Sequence, residues 1–135
     1  MAIEQISVFL ENKPGSLSEM TEVLAKNDVN LAALSLSEAE EFGIVRLIAV
    51  DQYKATTVLK DAGYIHNIVD VVGVTVPDEA GGLARILAVL NEIDVNVQYM
   101  YAFSNGKAAA FAIKVADTEK AEAALRTKGI RVTEK

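Results

Sequence analysis

The 135-residue chain has no cysteine, no tryptophan, two prolines and a single histidine, His66. Without cysteine there are no disulfides and no thiolate ligands, and one histidine with no partner cannot build a recognisable zinc or copper site. His66 lies in a stretch that reads as an edge strand, so no Ser/His/Asp arrangement is credible. No catalytic group, metal or cofactor is therefore expected. The chain also lacks any apolar run long enough to span a bilayer, and any basic start followed by an apolar segment. These absences argue against membrane spans and secretory signals and make the cytoplasm the expected compartment. Basic residues are scarce as well: 13 face 19 acids, the net charge is -6, and no Lys/Arg cluster offers a footprint for nucleic acid.

What the chain does have is a repeat. Pairing each residue with the one 66 positions later matches Val8 with Val74, Gly15 with Gly81, Leu17 with Leu83, Val23-Leu24 with Val89-Leu90 and Asp28-Val29-Asn30 with Asp94-Val95-Asn96. Beyond the middle, Asp51 matches Asp117, Lys54-Ala55 matches Lys120-Ala121, Leu59 matches Leu125 and Gly63 matches Gly129. These are few identities, but they fall at turn glycines, at apolar positions of helical spacing and at acids that start helices. Such positions fix a backbone, so the expected domains are residues 1–69 and 70–135. Units this small sit near the lower limit for an independent core. The apolar content of 51% exceeds what one thin two-layer unit can hide. An oligomer is expected.

Within the first copy, Ile6, Val8 and Leu10 alternate with Gln5, Ser7 and Phe9, the period of a half-buried strand. Asn12-Lys13-Pro14-Gly15 breaks the pattern, and Ser16-Leu17-Ser18-Glu19 has the form of a capping box that starts a helix at Leu17, with Leu17, Met20, Val23 and Leu24 as its apolar stripe. Asn27-Asp28 should close it, Asn taking the left-handed conformation. Residues 29–37 and 43–50 read as two strands around a charged hairpin loop, Glu38-Ala39-Glu40-Glu41, whose acids suit a solvated tip better than acid–base catalysis. Asp51 can cap a second helix ending at Gly63, and 64–70 supplies a fourth strand. The second copy runs 71–76, 83–93, 95–104, 108–115, 117–128 and 130–133. The order is βαββαβ twice, an α+β chain of two ferredoxin-like antiparallel sheets with both helices on one side of each. The other sheet faces carry Phe9, Ile44 and Ile48, and Val71, Ala110 and Ala112, too apolar to be mostly wet. Tyr99, Tyr101 and Phe103 alternate where the first copy has Ala33, Ser35 and Ser37, which points to core or interface packing more than to base stacking. If one of them touches a ligand, the small residues opposite leave room for a bulky side chain.

In each copy the chain leaves its first strand through a glycine turn and enters a helix, so free amides and the positive helix end converge where a carboxylate would be welcome. Gly15 and Gly81 permit close approach, Asn12 could serve a ligand's polar groups, and Asp78 would suit an ammonium. Glycine before a capped helix is commonly punctuation, but here it recurs with an Asn, Asn30 or Asn96, that does little for a strand. That Asn reads as a turn or cap residue or as a ligand contact.

The runs Asn12-Lys13-Pro14-Gly15-Ser16-Leu17 with Asp28-Val29-Asn30-Leu31, and Pro77-Asp78-Glu79-Ala80-Gly81-Gly82-Leu83 with Asp94-Val95-Asn96-Val97, resemble the ACT domains, small βαββαβ modules that bind amino acids and regulate metabolic enzymes. The resemblance covers essentially the whole chain and is closest to free-standing tandem ACT proteins. It implies modules paired edge to edge through residues 30–37 and 96–103, an amino acid between the first loop of one and strand two of the other, and a homodimer that regulates an enzyme. The implied ligand-binding residues are Asn12, Pro14, Gly15, Ser16, Leu17, Asn30 and Leu31, and Asp78, Ala80, Gly81, Gly82, Leu83, Asn96 and Val97. The second copy departs from the pattern, with Ala80 in the usual proline place and Asp78-Glu79 for Asn12-Lys13, so the two sites should differ. Two rival readings remain: a small acylphosphatase-like hydrolase, which would want an arginine that neither first loop contains, and a purely structural dimerisation module with vestigial sites.

Overall fold

The computed structural model describes residues 3–38, 42–105 and 108–133. Seven strands and four helices follow in the order β1 (Ile3–Glu11), α1 (Ser16–Lys26), β2 (Leu31–Glu38), β3 (Phe42–Ala49), α2 (Gln52–Asp61), β4 (Ile65–Pro77), α3 (Gly82–Glu92), β5 (Tyr99–Asn105), β6 (Ala108–Lys114), α4 (Thr118–Thr127) and β7 (Arg131–Thr133). Glu4–Val69 forms one compact unit; Asp70–Lys135, with Met1–Ile3, forms the other. Residues 39–41 of the expected hairpin loop lie outside the described residues. The two strands expected at 64–70 and 71–76 are one continuous strand, β4, because a single Asp70, with no Gly or Pro beside it, does not break the β-branched run Ile68-Val69 and Val71-Val72.

In the first unit the strand order is β2-β3-β1-β4, and in the second β5-β6-β4-β7, the ferredoxin-like arrangement in each. The antiparallel registers follow from alternation: Val8 faces Val45 and Ile6 faces Leu47, so one sheet face stays apolar. That face meets α1 and α2 in a core of Ile6, Val8, Leu10, Met20, Leu24, Val45, Leu47, Ala55 and Leu59. The second unit repeats the core at the same sequence offset with Val72, Val74, Val76, Ile86, Leu90, Ile113, Ala121 and Leu125. Val8, Leu24, Ala55 and Leu59 recur in kind while Ile6, Leu10 and Met20 become Val72, Val76 and Ile86, so the apolar pattern persists where identity does not.

The helix ends correct two expectations. Gly15, not Ser16, caps α1, with φ 91° and no side-chain cap bond, so Ser16 is already the first helical residue and the capping box does not form. At the other end Asn27 keeps φ -101° and Asp28 takes the left-handed conformation at φ 58°, as Asp94 does at φ 57°. Asp51 and Asp117 do cap α2 and α4, each accepting at 3.1 Å from the amide three residues on.

On the sheet faces away from the helices, Ile48, Val71, Ala110 and Ala112 are buried and Phe9 and Ile44 half-buried. The aromatic asymmetry has a cross-strand explanation. Tyr101 lies opposite Ala112 and Phe103 opposite Ala110, whereas Ser35 lies opposite Arg46 and Ser37 opposite Ile44. Large side chains sit on β5 in one unit and on β3 in the other, keeping the summed volume of each pair similar.

Candidate functional site

The loop after β1 and the loop after β4 are the same turn. Lys13 donates its amide to Glu11 O at 3.0 Å, Ser16 to Lys13 O at 3.4 Å and Glu19 to Gly15 O at 2.9 Å. Glu79, Gly82 and Arg85 donate in the same way to Pro77, Glu79 and Gly81, at 2.9, 3.2 and 3.0 Å. Gly15 and Gly81 share φ 91°, with ψ -16° and -9°, so placing Ala80 in the position of Pro14 leaves the turn unaltered. Among the described residues no backbone group accepts from the amides of Leu17 and Ser18, or of Leu83 and Ala84. Each turn therefore offers two unclaimed donors at a positive helix end.

Around the first turn Asn12, Pro14 and Gly15 are exposed, Ser16 and Leu17 half-buried. Around the second, Asp78, Ala80 and Gly81 are exposed, Gly82 is buried and Leu83 half-buried. Ser16 has a side chain where the second unit has Gly82, because a Cβ there would meet Val76 Cγ2 at 3.1 Å and Pro77 O at 3.2 Å. Lys13 pairs with Glu11 at 3.3 Å on the surface, a contact that Glu79 and Pro77 cannot make.

Asn30 and Asn96, both exposed, lie elsewhere. β2 runs in the same direction as β1, since both are antiparallel to β3, so Asn30 and Leu31 at the start of β2 sit at the opposite end of α1 from Gly15. The helix between them makes about three turns, roughly 16 Å at the usual rise per residue, so one unit does not bring loop and Asn together. In the second unit Asn96 and Val97 precede β5, which starts at Tyr99 rather than near Val95, and Val97 packs on the core. The edge strands are open: among the described residues β2 pairs only with β3, β5 only with β6, and Leu34 and Leu36 on β2 are 41% and 54% exposed.

Two clefts went unforeseen in the sequence. A cleft of about 340 Å³ beside the first turn is lined by Phe9, Glu11, Lys13, Glu19, Tyr64 and Ile65, among others. Its counterpart in the second unit, about 300 Å³, is lined by Thr75, Pro77, Arg85, Ala108, Ile130 and Arg131, among others. Gly63 and Gly129, both with positive φ, turn the chain from α2 and α4 back toward these clefts. Burial and then the negative charge of Glu19 hold the Tyr64 phenol above its ordinary value of 10.0. The recurrence of Gly63 at Gly129 was the legible signal, since a repeated turn glycine marks a repeated corner. Among the described residues no three His, Asp or Glu side chains gather to hold a metal, and no helix is long and apolar enough to cross a membrane.

Comparison with known proteins agrees with this geometry. A search of curated proteins finds no match. A crystal structure of a protein from Bacteroides thetaiotaomicron superposes with a TM-score of 0.92 at 42% identity, covering 98% of this chain and 92% of that one. Regulatory subunits of aspartate kinase from Thermus thermophilus, in a ligand-free form, and Thermus flavus share the fold, with TM-scores of 0.67 and 0.65 at 16% and 15% identity, covering 93% of this chain and 89% and 90% of theirs. The model of the ACT domain pair matches residues 1–135, and with the duplicated βαββαβ units and their twin glycine turns this chain belongs to the ACT domain pair family.

Proposed function

We propose that this chain is a non-catalytic, cytoplasmic regulatory protein whose two ACT modules, residues 1–69 and 70–135, bind an amino acid and pass its occupancy to a metabolic enzyme. The observation that carries the reading is the duplicated turn, with a left-handed glycine and two unclaimed amides in both copies. Amides at a helix start bind a carboxylate, and a nearby Asn or Asp can take the ammonium. The regulatory subunits of aspartate kinase use the same fold, which makes amino acids the ligand class to test first.

The separation of Asn30 from Gly15 supports a homodimer. If β2 of one chain pairs antiparallel with the edge strand of another, the start of the partner strand comes alongside the first loop, and Asn and loop meet across the interface. Pairing would also cover Leu34 and Leu36. Ligand bound there stabilises one arrangement of the assembly and shifts its population.

Thermal unfolding with each of the twenty amino acids tests this. A ligand at 100 times its Kd adds about 2.7 kcal/mol of stability, and a response to none of them rejects the reading. Sedimentation of a Leu34→Lys/Leu36→Lys variant tests the edge, since two charges there should shift the assembly toward monomer.

A further inference from the structure

The clefts beside the two turns occupy equivalent places in their units, yet their charges are reversed. At the repeat offset Glu19 becomes Arg85 and Ile65 becomes Arg131, so the first cleft carries Glu11, Lys13, Glu19 and the Tyr64 phenol, and the second carries two guanidinium groups. The chain has only four arginines, Arg46, Arg85, Arg126 and Arg131, and two of them line this one cavity of about 300 Å³. Both are exposed, and among the described residues neither has an ion-pair partner. Two like charges at one cleft repel each other, and in an acidic chain many carboxylates were available to neutralise them. The cleft walls offer none; they are Val76, Pro77, Ala108 and Ile130 beside Thr75.

We propose that the second unit holds an anion site in which Arg85 and Arg131 grip the carboxylate or phosphate of a small organic molecule whose apolar body rests on Val76, Pro77 and Ile130. Guanidinium groups match both head groups with paired, charge-assisted hydrogen bonds. The cavity lies at the small end of ligand pockets, which suits a metabolite more than a chain. The site differs from the amide-lined turn, and the first unit lacks it because Glu19 repels anions and Ile65 contributes no charge. One copy of the duplicated fold thus reads a second kind of ligand.

The test is an NMR titration of the full-length chain at low ionic strength with inorganic phosphate, succinate or isovalerate, and with chloride as control. Saturable shifts are expected at the amides of Val76, Gly82, Arg85, Ile130 and Arg131, weakening as salt is added. Phosphate against the two carboxylates identifies the head group. An R85E/R131I variant, which installs the residues of the first cleft, should lose affinity by about tenfold or more, and the reverse E19R/I65R variant should gain anion binding in the first unit. Unchanged spectra elsewhere confirm that both variants fold, and R85Q gives a milder version of the loss. Equal affinity in R85E/R131I, no saturable response to any of the three probes, or an identical response to chloride overturns the proposal. An anion response without any amino-acid response would leave this site standing and remove the amino-acid reading.

Discussion

Gly81 and Gly82 are adjacent glycines that the structure needs for different reasons, and substituting them separates conformational from steric cost. Gly81 has φ 91°, and a Cβ built there meets nothing within 4 Å. Gly82 is helical, but its Cβ would press on Val76 Cγ2 at 3.1 Å and Pro77 O at 3.2 Å. Gly81→Ala therefore carries only the left-handed penalty of about 1–2 kcal/mol, partly offset by the reduced freedom of the unfolded chain, for a net loss of about 1 kcal/mol. In a chain of this size that lowers the Tm by about 3–5 °C. Gly81→Asn should cost less than Gly81→Ala, because Asn tolerates the left-handed region. At Gly82 the order reverses: Ala needs Val76 and the Pro77 carbonyl each to yield by a few tenths of an ångström, whereas Asn brings three further heavy atoms into the same space. Urea unfolding followed by far-UV circular dichroism measures all four variants, and Gly15→Ala should match Gly81→Ala because its Cβ is equally unobstructed. A Gly81→Ala protein that unfolds at the wild-type midpoint, or one destabilised no more than Gly81→Asn, refutes the conformational account.

Replacing either helix cap, Asp51→Ala or Asp117→Ala, removes one bond to an exposed amide and should cost about 1 kcal/mol by denaturant unfolding, with the two losses adding. Because the folded chain holds Tyr64 above 10.0, its neutral form is the favoured one. The associated stability is intact below that ordinary value and declines as pH rises through the folded one. Absorbance titration of the phenolate band should show a late-ionising component that vanishes in Tyr64→Phe and moves earlier in Glu19→Gln. Ala112→Leu should overpack the site opposite Tyr101 and lose about 1–3 kcal/mol, with part regained in Ala112→Leu/Tyr101→Ala; purely additive losses would show that the pair does not share volume.

Much of the fold was readable because its signals are local. Alternation through Ile6, Val8 and Leu10, the stripe through Met20 and Leu24, and the acid caps Asp51 and Asp117 each depend on a few neighbouring residues. Errors arose where two local signals competed. Ser16-Leu17-Ser18-Glu19 satisfies the capping-box pattern, but Gly15 reaches the left-handed cap geometry without steric penalty and moves the helix start back by one residue. Asn27 and Asp28 are both able to leave the helix, and Asp28 does so. Of the candidate site, each glycine turn was visible in sequence, while the distance between Gly15 and Asn30 was hidden until strand directions were known.

The order of residues alone establishes that two copies of one βαββαβ unit follow each other, which faces of their strands and helices are apolar, and where glycine permits a turn. These depend on the periods of strand and helix and on single-residue backbone preferences, which any short window reveals. It takes the packed fold to bring Arg85 and Arg131, far apart in the chain, to one cleft, to set Tyr101 against Ala112, and to leave β2 and β5 each with a single paired neighbour among the described residues. Packing selects which distant residues converge, and the energy that selects them is spread over the whole core rather than written at the positions it brings together.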